Sequence, residues 1–516
     1  MKLRIVLEGI GAALLLYPYY LPFFHPQNHD LYFHGLPVTN LVGGLLVDLL
    51  GSTIVVTSFL VAVRYLQPRA RSVLKAIFAG IMLWSGVELA FQVLIDMLYP
   101  VVYWGHIWER TAVVLPILLA ALAFFVPHVS RPAVRATRVA LAAFSLSALW
   151  IVPQLIHIAL AQPHLQSAAP QSLATPAQGT ANRRIVWILF DELSYDQTFD
   201  HREAGIRLAN FDKLRAGSVS FSNLKPIGYE TNRIIPSLFI GNSFKNFRST
   251  VDGRLSYWDE SQHRWMDYDS SATLFGLAQR NGWSTGADGW FNPYCGILAP
   301  YLNACYRDAG TFLPTEELGA SEDKSIWVNA AAVPNQFLLA FTQAKATLTD
   351  EHIQTYWAVM AHTRALIENP RLRFVFLHLP VPHPPGIYDR HRHVVRSGGN
   401  YLDNLVLADD TLGTLIDEID SAPSAGQTTV IVTSDHSWRI PLWTPAEGWS
   451  EEEQRVSGGR FDTRPVLLVH FPGEMSGQDV QTPMTEMIEH DVMAEMLSGG
   501  IHNREDLTAF VARHGR

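Results

Sequence analysis

The sequence predicts two joined architectures: an α-helical transmembrane bundle, and an α/β domain with a mostly parallel central sheet and helices on both faces. Apolar residues of the 516-residue chain are concentrated before residue 162, in stretches long enough to cross a bilayer. Beyond residue 182, short apolar runs alternate with longer helical and loop stretches. We therefore divide the chain into a transmembrane domain at 1–161, a linker at 162–182 and an outer domain at 183–516.

Five segments before residue 162 approach bilayer-spanning length, and each is predicted to be a transmembrane helix. The first is expected to be an anchor rather than a removed signal peptide, because no A-x-A-like cleavage site follows it and further spans come after it. The predicted spans are about Leu3–Phe24, Leu41–Ala62, Ser72–Leu98, Thr111–Val129 and Val139–Ala161.

Basic residues predict the orientation of these spans. Lysines and arginines precede the first span, separate the second from the third, and separate the fourth from the fifth, whereas the opposite loops carry only Arg110. Trp104 and Trp108, in one of those opposite loops, fit an interfacial aromatic belt. The sequence thus predicts a multi-pass protein of the plasma (inner) membrane, with everything beyond residue 161 on the extracytoplasmic, periplasmic side.

The net charge and the number of cysteines exclude some classes of function. A net charge of -9 and a pI near 6.1 give no sign of nucleic-acid binding. The only two cysteines, Cys295 and Cys305, are too few for a cysteine-rich metal module. Their separation suits one small disulfide in an oxidising compartment, with two buried thiols as the alternative. The Ala-, Gln-, Pro- and Ser-rich stretch Gln162–Asn182 is typical of a tether.

Secondary structure in the outer domain is predicted from its apolar runs. Two stretches favour helix, Glu316–Glu368 and Leu405–Ile419. Buried strands are predicted at Ile185–Asp191, Phe374–Leu379, Thr429–Ser434 and Pro465–Phe471.

Two of these strands end on acidic or imidazole side chains. Asp191 and Glu192 directly follow the first run, and Asp435 with His436 follow the third. Because ligands bind at the carboxyl ends of strands in such sheets, these groups are expected to converge on one divalent metal ion. Zn, Mn, Mg and Ca all suit oxygens with one imidazole. Solvated acids at an exposed turn are the alternative for the first pair.

The motifs FDELSYD, ETNRIIPSLFIG, HLPVPHPP, YLDNLVLADDTLG and TSDH occur in that order between residues 190 and 436. In their order and spacing they resemble the alkaline phosphatase/sulfatase superfamily. More narrowly, the chain is similar to the membrane-anchored phosphoethanolamine transferases and lipoteichoic acid synthases. The resemblance covers roughly residues 183–475, and a five-span anchor with an outer catalytic domain matches too.

The resemblance implies a metal-coordinated nucleophile at Thr231, for which a helix N-cap is the structural alternative. Sulfatases carry an oxidisable Cys or Ser two residues before the proline that Pro236 matches, but this chain has Ile234 there. Trp290 replaces another sulfate-gripping residue of that family. A threonine-based transferase or phosphodiesterase is therefore expected. Trp290 and Tyr294 are predicted to line the substrate cleft, although both would be unremarkable in a core.

Three further residues receive predicted roles. His383 matches the position that contacts the transferred group, and it could protonate a leaving oxygen. His378 is named as a further candidate for substrate binding, but a structural role, or support of the site residues from behind, is the favoured interpretation. Arg390, in the basic run YDRHRHVVR, is a candidate for holding phosphate oxygens, although such runs are often solvated loops.

The reaction implied by the resemblance is transfer of a phospho-substituted group, of phosphoethanolamine or phosphoglycerol type, from a membrane phospholipid to an envelope glycan or lipid. A divalent ion held by Asp191, Asp435 and His436, with Glu192 as a further candidate, would activate Thr231. A phosphothreonine intermediate would then be resolved by the acceptor. A sulfatase-like hydrolase of the same fold and a non-catalytic binding protein are the alternatives.

Overall fold

The computed structural model describes most of both predicted domains. The predicted linker and most of the fourth predicted span lie outside the described residues. Those residues are 2–16, 39–98, 117–118, 121–122, 125–160, 183–244, 247–249, 255–259, 261–292, 294–298, 300–306, 325–331, 344–444 and 448–514.

The described part of the first 161 residues is helical. By length and composition, two helical stretches, Val42–Tyr65 and Arg131–His157, are apolar enough to cross a membrane. Two such stretches are weak support for a transmembrane bundle, so the five-span topology stays a prediction. The helices are α1 Lys2–Leu16, α2 Thr39–Ala62, α3 Pro68–Leu98, α4 Pro127–Phe144 and α5 Ala148–Leu160.

A buried ion pair joins the first and fourth of these helices. Glu8 on α1 is buried and accepts hydrogen bonds from Arg138 of α4 through Nε and Nη2, both at 2.9 Å. Arg4, one turn earlier, donates to the same carboxylate at 3.0 Å. An acid buried without such partners would be strongly destabilising, so this contact fixes which faces of α1 and α4 pack together.

The outer domain is built on an eight-stranded sheet in the order β14-β2-β13-β12-β1-β9-β7-β8. Within this sheet β13 alone runs antiparallel to its neighbours, so the predicted, mostly parallel sheet is confirmed. Its strands are β1 Arg184–Phe190, β2 Val219–Phe221, β7 Thr285–Gly289, β8 Ala304–Cys305, β9 Phe374–Leu379, β12 Thr428–Ser434, β13 Leu467–His470 and β14 Gln478–Val480. Smaller sheets contain β3 Leu224–Lys225, β4 Phe247–Ser249, β5 Leu255–Asp259, β6 Arg264–Asp267, β10 Gly386–Asp389, β11 Val394–Gly399 and β15 Met484–Thr485.

Helices cover both faces of the sheet and complete two hydrophobic cores. Side chains of β1 alternate between the cores, with Trp187 on one face and Ile188 on the other, as expected for a strand buried on both sides. The helices include α6 Ala209–Ala216, α7 Thr231–Ile240, α8 Leu274–Arg280, α9 Tyr294–Ile297, α10 Ala344–Glu368, α11 Tyr401–Ser421, α12 Ile440–Trp443, α13 Glu451–Ser457, α14 Ile488–Ser498 and α15 Arg504–His514.

Strand register places the predicted acidic ends side by side. In the central sheet, Phe190 pairs with Ser434 of β12 and with Leu379 of β9. Because these strands are parallel and end level with one another, Asp191 and Asp435 leave the sheet at the same edge. The convergence expected from the two separate motifs follows directly from this register.

The two cysteines form a disulfide, Cys295–Cys305, that joins α9 to β8. Replacing both cysteines by alanine is expected to lower the unfolding free energy by about 2–3 kcal/mol, because a short closed loop in the unfolded chain is released. Thermal unfolding of the full chain in detergent measures the effect. Reductant should lower the melting temperature of the wild type and leave the double variant unchanged; an equal shift in both would contradict the prediction.

Candidate active site

Thr231 is the first residue of α7 and its hydroxyl faces the end of β12. Its side chain is 5% exposed, and its Oγ1 donates to Asp435 Oδ2 at 2.6 Å. The same oxygen lies 3.3 Å from His436 Nε2. The N-cap alternative is wrong, because Glu230 occupies the capping position of α7. The threonine hydroxyl therefore contacts the strand-end groups and does not cap the helix.

Three strand-end side chains form a compact group of possible metal ligands. One ligand atom each of Asp191, Asp435 and His436 lies within 4.8 Å of the others. His436 Nε2 is 3.1 Å from Asp435 Oδ2 and 3.8 Å from Asp191 Oδ1. Within the described residues, Asp191 Oδ1 is buried and accepts no hydrogen bond. A buried carboxylate oxygen left open in this way suits a cation.

The electrostatics of the group also fit a divalent ion. Burial, and then the neighbouring charge of Asp435, raises the pKa of Asp191 well above its ordinary value. Burial, and then the charge of Arg439, lowers the pKa of His436 to about 3, so the ring is neutral. The His436 Nδ1 lies 3.1 Å from the Ser437 carbonyl oxygen. That contact puts the ring proton on Nδ1 and leaves the Nε2 lone pair for a metal.

Glu192 takes a different direction from Asp191. Its backbone has φ 68°, a left-handed conformation uncommon outside glycine. Its Oε1 accepts hydrogen bonds from the backbone N–H of Arg439 at 2.7 Å and from Trp443 Nε1 at 2.7 Å, and Arg439 Nη2 donates to Oε2 at 3.2 Å. A second possible ligand group joins Asp191, Glu192 and His383. We favour the first group for the ion, because the Arg439 guanidinium already balances the charge of Glu192.

His383 lies beside this Glu192–Arg439 pair. Its Nε2 is 3.7 Å from Glu192 Oε2 and 3.2 Å from Arg439 Nη2, and its Nδ1 contacts the carbonyl of Pro384. Burial and the adjacent guanidinium hold the pKa of His383 well below its ordinary value. A proton donor must be protonated, so this arrangement disfavours the predicted role of His383 as the acid for a leaving oxygen. The same lowered pKa makes the ring a weak base, and its Nε2 already faces the Arg439 guanidinium donor.

Two of the residues expected to bind substrate are turned into the core behind Asp191. Tyr294 is 1% exposed and His378 0%, and the Tyr294 hydroxyl lies 2.6 Å from His378 Nδ1. Burial raises the pKa of Tyr294 well above its ordinary value and lowers that of His378 to about 4, so both are neutral. Neither side chain has exposed surface that a ligand could contact.

Trp290 packs against two imidazole rings beside the site. Its ring is 5% exposed, stacks on His352 at 5.9 Å between centroids, and meets the His383 ring edge-on at 5.1 Å. The His383 ring in turn meets Trp443 edge-on at 5.4 Å. These aromatic rings form one wall beside the Glu192–Arg439 pair, so a role for Trp290 in shaping the cleft remains a prediction.

Arg390 belongs to a separate ion-pair cluster. Its guanidinium lies 2.5 Å from Glu452 and 3.6 Å from Asp403. Two acids therefore already balance its charge, and Asp403 belongs to the capping box at the start of α11. Its predicted contact with phosphate oxygens gains no support from this arrangement.

Sequence reasoning assigned no role to two residues that the fold brings to the site. Arg439 pairs with Glu192 and also lies 3.4 Å from the Tyr229 carbonyl, two residues before Thr231. Asn292 is 1% exposed and its Nδ2 lies 3.4 Å from the Thr231 carbonyl oxygen. Arg439 follows the Asp-His pair by only three positions, a spacing that could have marked it. Asn292 stands where the sulfatase family has the His of its G-K-W-H element, a position that could have marked it.

Several solved structures are similar to this chain at low identity. A protein of the alkaline phosphatase superfamily from Vibrio parahaemolyticus is 12% identical, with a TM-score of 0.36 over 63% of this chain and 70% of that one. The phosphonate monoester hydrolase of Agrobacterium radiobacter is 15% identical, with a TM-score of 0.37 over 61% and 74%. Murine ectonucleotide pyrophosphatase/phosphodiesterase 5 is 12% identical, with a TM-score of 0.37 over 61% and 95%.

No curated protein matches the chain. A family model described as Sulfatase matches residues 183–498, more than half of the chain and nearly all of the outer domain. That range contains the central sheet, Thr231 and both acidic strand ends. The match confirms the superfamily that the sequence motifs indicated. The chain therefore belongs to the sulfatase family and is an enzyme of the alkaline phosphatase superfamily.

Proposed function

We propose that this protein is a membrane-bound, metal-dependent transferase that uses Thr231 as its nucleophile. It would move a phospho-substituted group, of phosphoethanolamine or phosphoglycerol type, from a membrane phospholipid to an envelope glycan or lipid. The proposal depends on the position of the Thr231 hydroxyl. Its Oγ1 lies 2.6 Å from Asp435 Oδ2 and 3.3 Å from His436 Nε2. Ile234, which stands where ordinary sulfatases have their oxidisable Cys or Ser, cannot become the oxidised residue of that family.

Asp191, Asp435, His436 and Thr231 are the residues that would hold the divalent ion. When bound, the ion favours the alkoxide form of a threonine hydroxyl at neutral pH. Zn, Mn, Mg and Ca remain candidates, since a set of oxygens with one imidazole accepts each.

The reaction would proceed in two displacements at phosphorus. In the first, Thr231 Oγ1 forms a bond to phosphorus, the bond to the lipid alcohol breaks, and the alcohol leaves with the proton that the threonine gives up, so that a phosphothreonine results. In the second, the acceptor oxygen forms a bond to phosphorus, the bond to Thr231 Oγ1 breaks, and the acceptor's proton returns to the threonine. His383, whose Nε2 lies 3.2 Å from Arg439 Nη2, would contact the transferred group. Arg439, held by Glu192, would bind phosphate oxygens.

Mass spectrometry tests the proposal most directly. The full chain in detergent is incubated with defined phospholipids, stopped with acid and digested. We expect a mass addition on Thr231 equal to the transferred group, which identifies nucleophile and group together. Release of the group by water alone would make the enzyme a hydrolase, and an acceptor-dependent product would make it a transferase. Turnover without any addition on Thr231 would refute the covalent route.

Membrane anchoring explains how such an enzyme would meet its donor. Helices before residue 162 would hold the outer domain near lipid head groups and so raise their effective concentration. This requires the outer domain to lie on the extracytoplasmic side, which five crossings from a cytoplasmic amino terminus would give. Phospholipid is accordingly the proposed donor, and nucleic acid is not a proposed partner.

A topology measurement checks this placement. A phosphatase reporter fused after residue 175 is expected to be active outside the cytoplasm, because an odd number of spans precedes it. A matched fusion after residue 67, between α2 and α3, should be inactive, since two spans return the chain to the cytoplasm. A cytoplasmic signal from the fusion after 175 would overturn the five-span count.

A further inference from the structure

Three buried polar side chains form a continuous chain of contacts behind the candidate active site. Asn292 Nδ2 lies 3.4 Å from the carbonyl oxygen of Thr231 and 3.3 Å from Tyr294 Oη. Tyr294 Oη lies 2.6 Å from His378 Nδ1, and His378 Nε2 lies 3.4 Å from Asp191 Oδ2. The contacts therefore run from the backbone of the nucleophile to one oxygen of the first strand-end acid.

The chemistry of each partner sets the direction of the protons along this chain. A backbone carbonyl only accepts, so the amide NH₂ of Asn292 must face Thr231, and the same group donates to Tyr294 Oη. Having accepted that hydrogen bond, the phenol directs its own proton to His378 Nδ1. A neutral imidazole that accepts at Nδ1 carries its proton on Nε2, the atom that faces Asp191.

We propose that Asn292, Tyr294 and His378 are positioning residues that fix how Asp191 presents its carboxylate. His378 Nε2–H faces Oδ2, while Oδ1, the buried oxygen that accepts no hydrogen bond within the described residues, is left for the ion. The 3.4 Å contact is an electrostatic approach rather than a hydrogen bond, since His378 Nε2 has no hydrogen-bond partner within the described residues. The inference rests on the proposed function only for the presence of a bound ion.

Residues that contact a metal-coordinating side chain are functionally important in metal sites. Groups that orient a coordinating side chain typically change metal affinity by about 10–100-fold when removed. Here the restraint comes from a residue on the neighbouring strand β9, whose Leu379 pairs with Phe190 just before Asp191. The three side chains thus connect the sheet, the nucleophile and the metal ligand in one rigid core.

Substitution of Tyr294 by phenylalanine tests the relay. The variant loses only the phenol oxygen, so His378 is free to place its proton on Nδ1 and turn a lone pair towards Asp191. The full chain in detergent is stripped of metal and titrated with Zn²⁺ against a fluorescent chelator. We expect the Zn²⁺ dissociation constant to rise by about 10–100-fold. An unchanged constant would overturn the proposal.

Tyr268 provides the matched control. It is also a buried tyrosine, and its hydroxyl donates to the backbone oxygen of Pro236 at 3.0 Å instead of to the relay. Tyr268→Phe therefore removes the same atom from a buried site and should leave Zn²⁺ affinity unchanged. The melting temperature of each metal-free variant is measured alongside. An equal loss of affinity in both variants would assign the effect to core packing and overturn the relay.

A double-variant cycle separates the tautomer from the side chain. Glutamine at position 378 can donate at the place of Nε2 without any tautomer, so His378→Gln should retain more Zn²⁺ affinity than His378→Leu. In the glutamine background, Tyr294→Phe should cause less than a twofold further loss; fully additive losses would overturn the relay. A wild-type chain that binds no Zn²⁺, Mn²⁺, Mg²⁺ or Ca²⁺ would instead refute the metal site of the proposed function.

Discussion

Replacing Thr231 by alanine is expected to reduce turnover by at least about 10³-fold while the divalent ion stays bound. Alanine has no hydroxyl to form a bond to phosphorus, so the covalent route is closed. The other three candidate ligands, Asp191, Asp435 and His436, still lie within 4.8 Å of one another and retain their charges. Product formation from phospholipid, metal content and mass addition at position 231 measure the three parts of the prediction.

Two control variants make this result specific. Thr231→Ser keeps a hydroxyl on the first residue of α7 and should restore both the mass addition and measurable turnover. Thr273→Ala removes a threonine that caps α8 through Gly276 N–H at 3.2 Å, so it should cost about 1 kcal/mol of stability without changing turnover. Full activity in Thr231→Ala would remove this residue from the mechanism.

The centre of the candidate site could be predicted because it depends on strand ends. Buried parallel strands are recognised from unbroken apolar runs, and their carboxyl ends meet at one edge. Asp191 and Asp435 needed no further geometry once β1 and β12 were neighbours in the sheet. The family resemblance then added Thr231, which the structure places against Asp435.

The direction in which each side chain points could not be predicted from the sequence. Glu192 and Asp191 are adjacent acids with the same local pattern, but the left-handed backbone at Glu192 sends its carboxylate to Arg439 and Trp443. Likewise, an aromatic next to a predicted cleft is equally compatible with lining it or packing behind it. Tyr294 packs behind the site. Its contact with His378, on a strand distant in sequence, shows this position, and no local pattern predicts that contact.

Helix limits in the first 161 residues differed from the predicted spans for another reason. Hydropathy stops at charges, so the fifth span was predicted to begin at Val139, whereas α4 begins at Pro127 and a short 3₁₀ turn, Ser145–Ser147, joins it to α5. The helix continues through basic residues because its backbone hydrogen bonds do not depend on side-chain polarity. Arg138 then finds Glu8 on α1, a long-range partner that no local pattern indicates.

Changing Asp435 to asparagine is expected to weaken Zn²⁺ binding by more than about 100-fold. That loss exceeds the one expected when a residue that only orients a metal ligand is removed. The side chain has the same shape but loses its charge, and the aspartate Oδ2 contacts both Thr231 Oγ1 and His436 Nε2. Turnover should fall with metal occupancy. At an ion concentration 100 times the dissociation constant, the wild type gains about 2.7 kcal/mol of stability, and the variant should gain almost none.

The metal-free protein should respond in the opposite direction. Asp191 and Asp435 are both buried, and each charge disfavours the other, so burial and this repulsion raise the pKa of Asp191. Asparagine removes the repulsion, and its oxygen can keep the backbone N–H donors of Glu192 and His436. Its amide group would face the Thr231 hydroxyl and His436 Nε2, which can both accept, so the metal-free variant should melt no lower than the metal-free wild type. Asp409→Asn is the control, because both oxygens of that buried carboxylate accept N–H donors, from the Phe211 backbone at 2.8 Å and from Asn210 Nδ2 at 3.1 Å, and an amide group would face one of them. It should lower the melting temperature with or without Zn²⁺, and a similar metal-free loss in Asp435→Asn would show that Asp435 serves the fold rather than an ion.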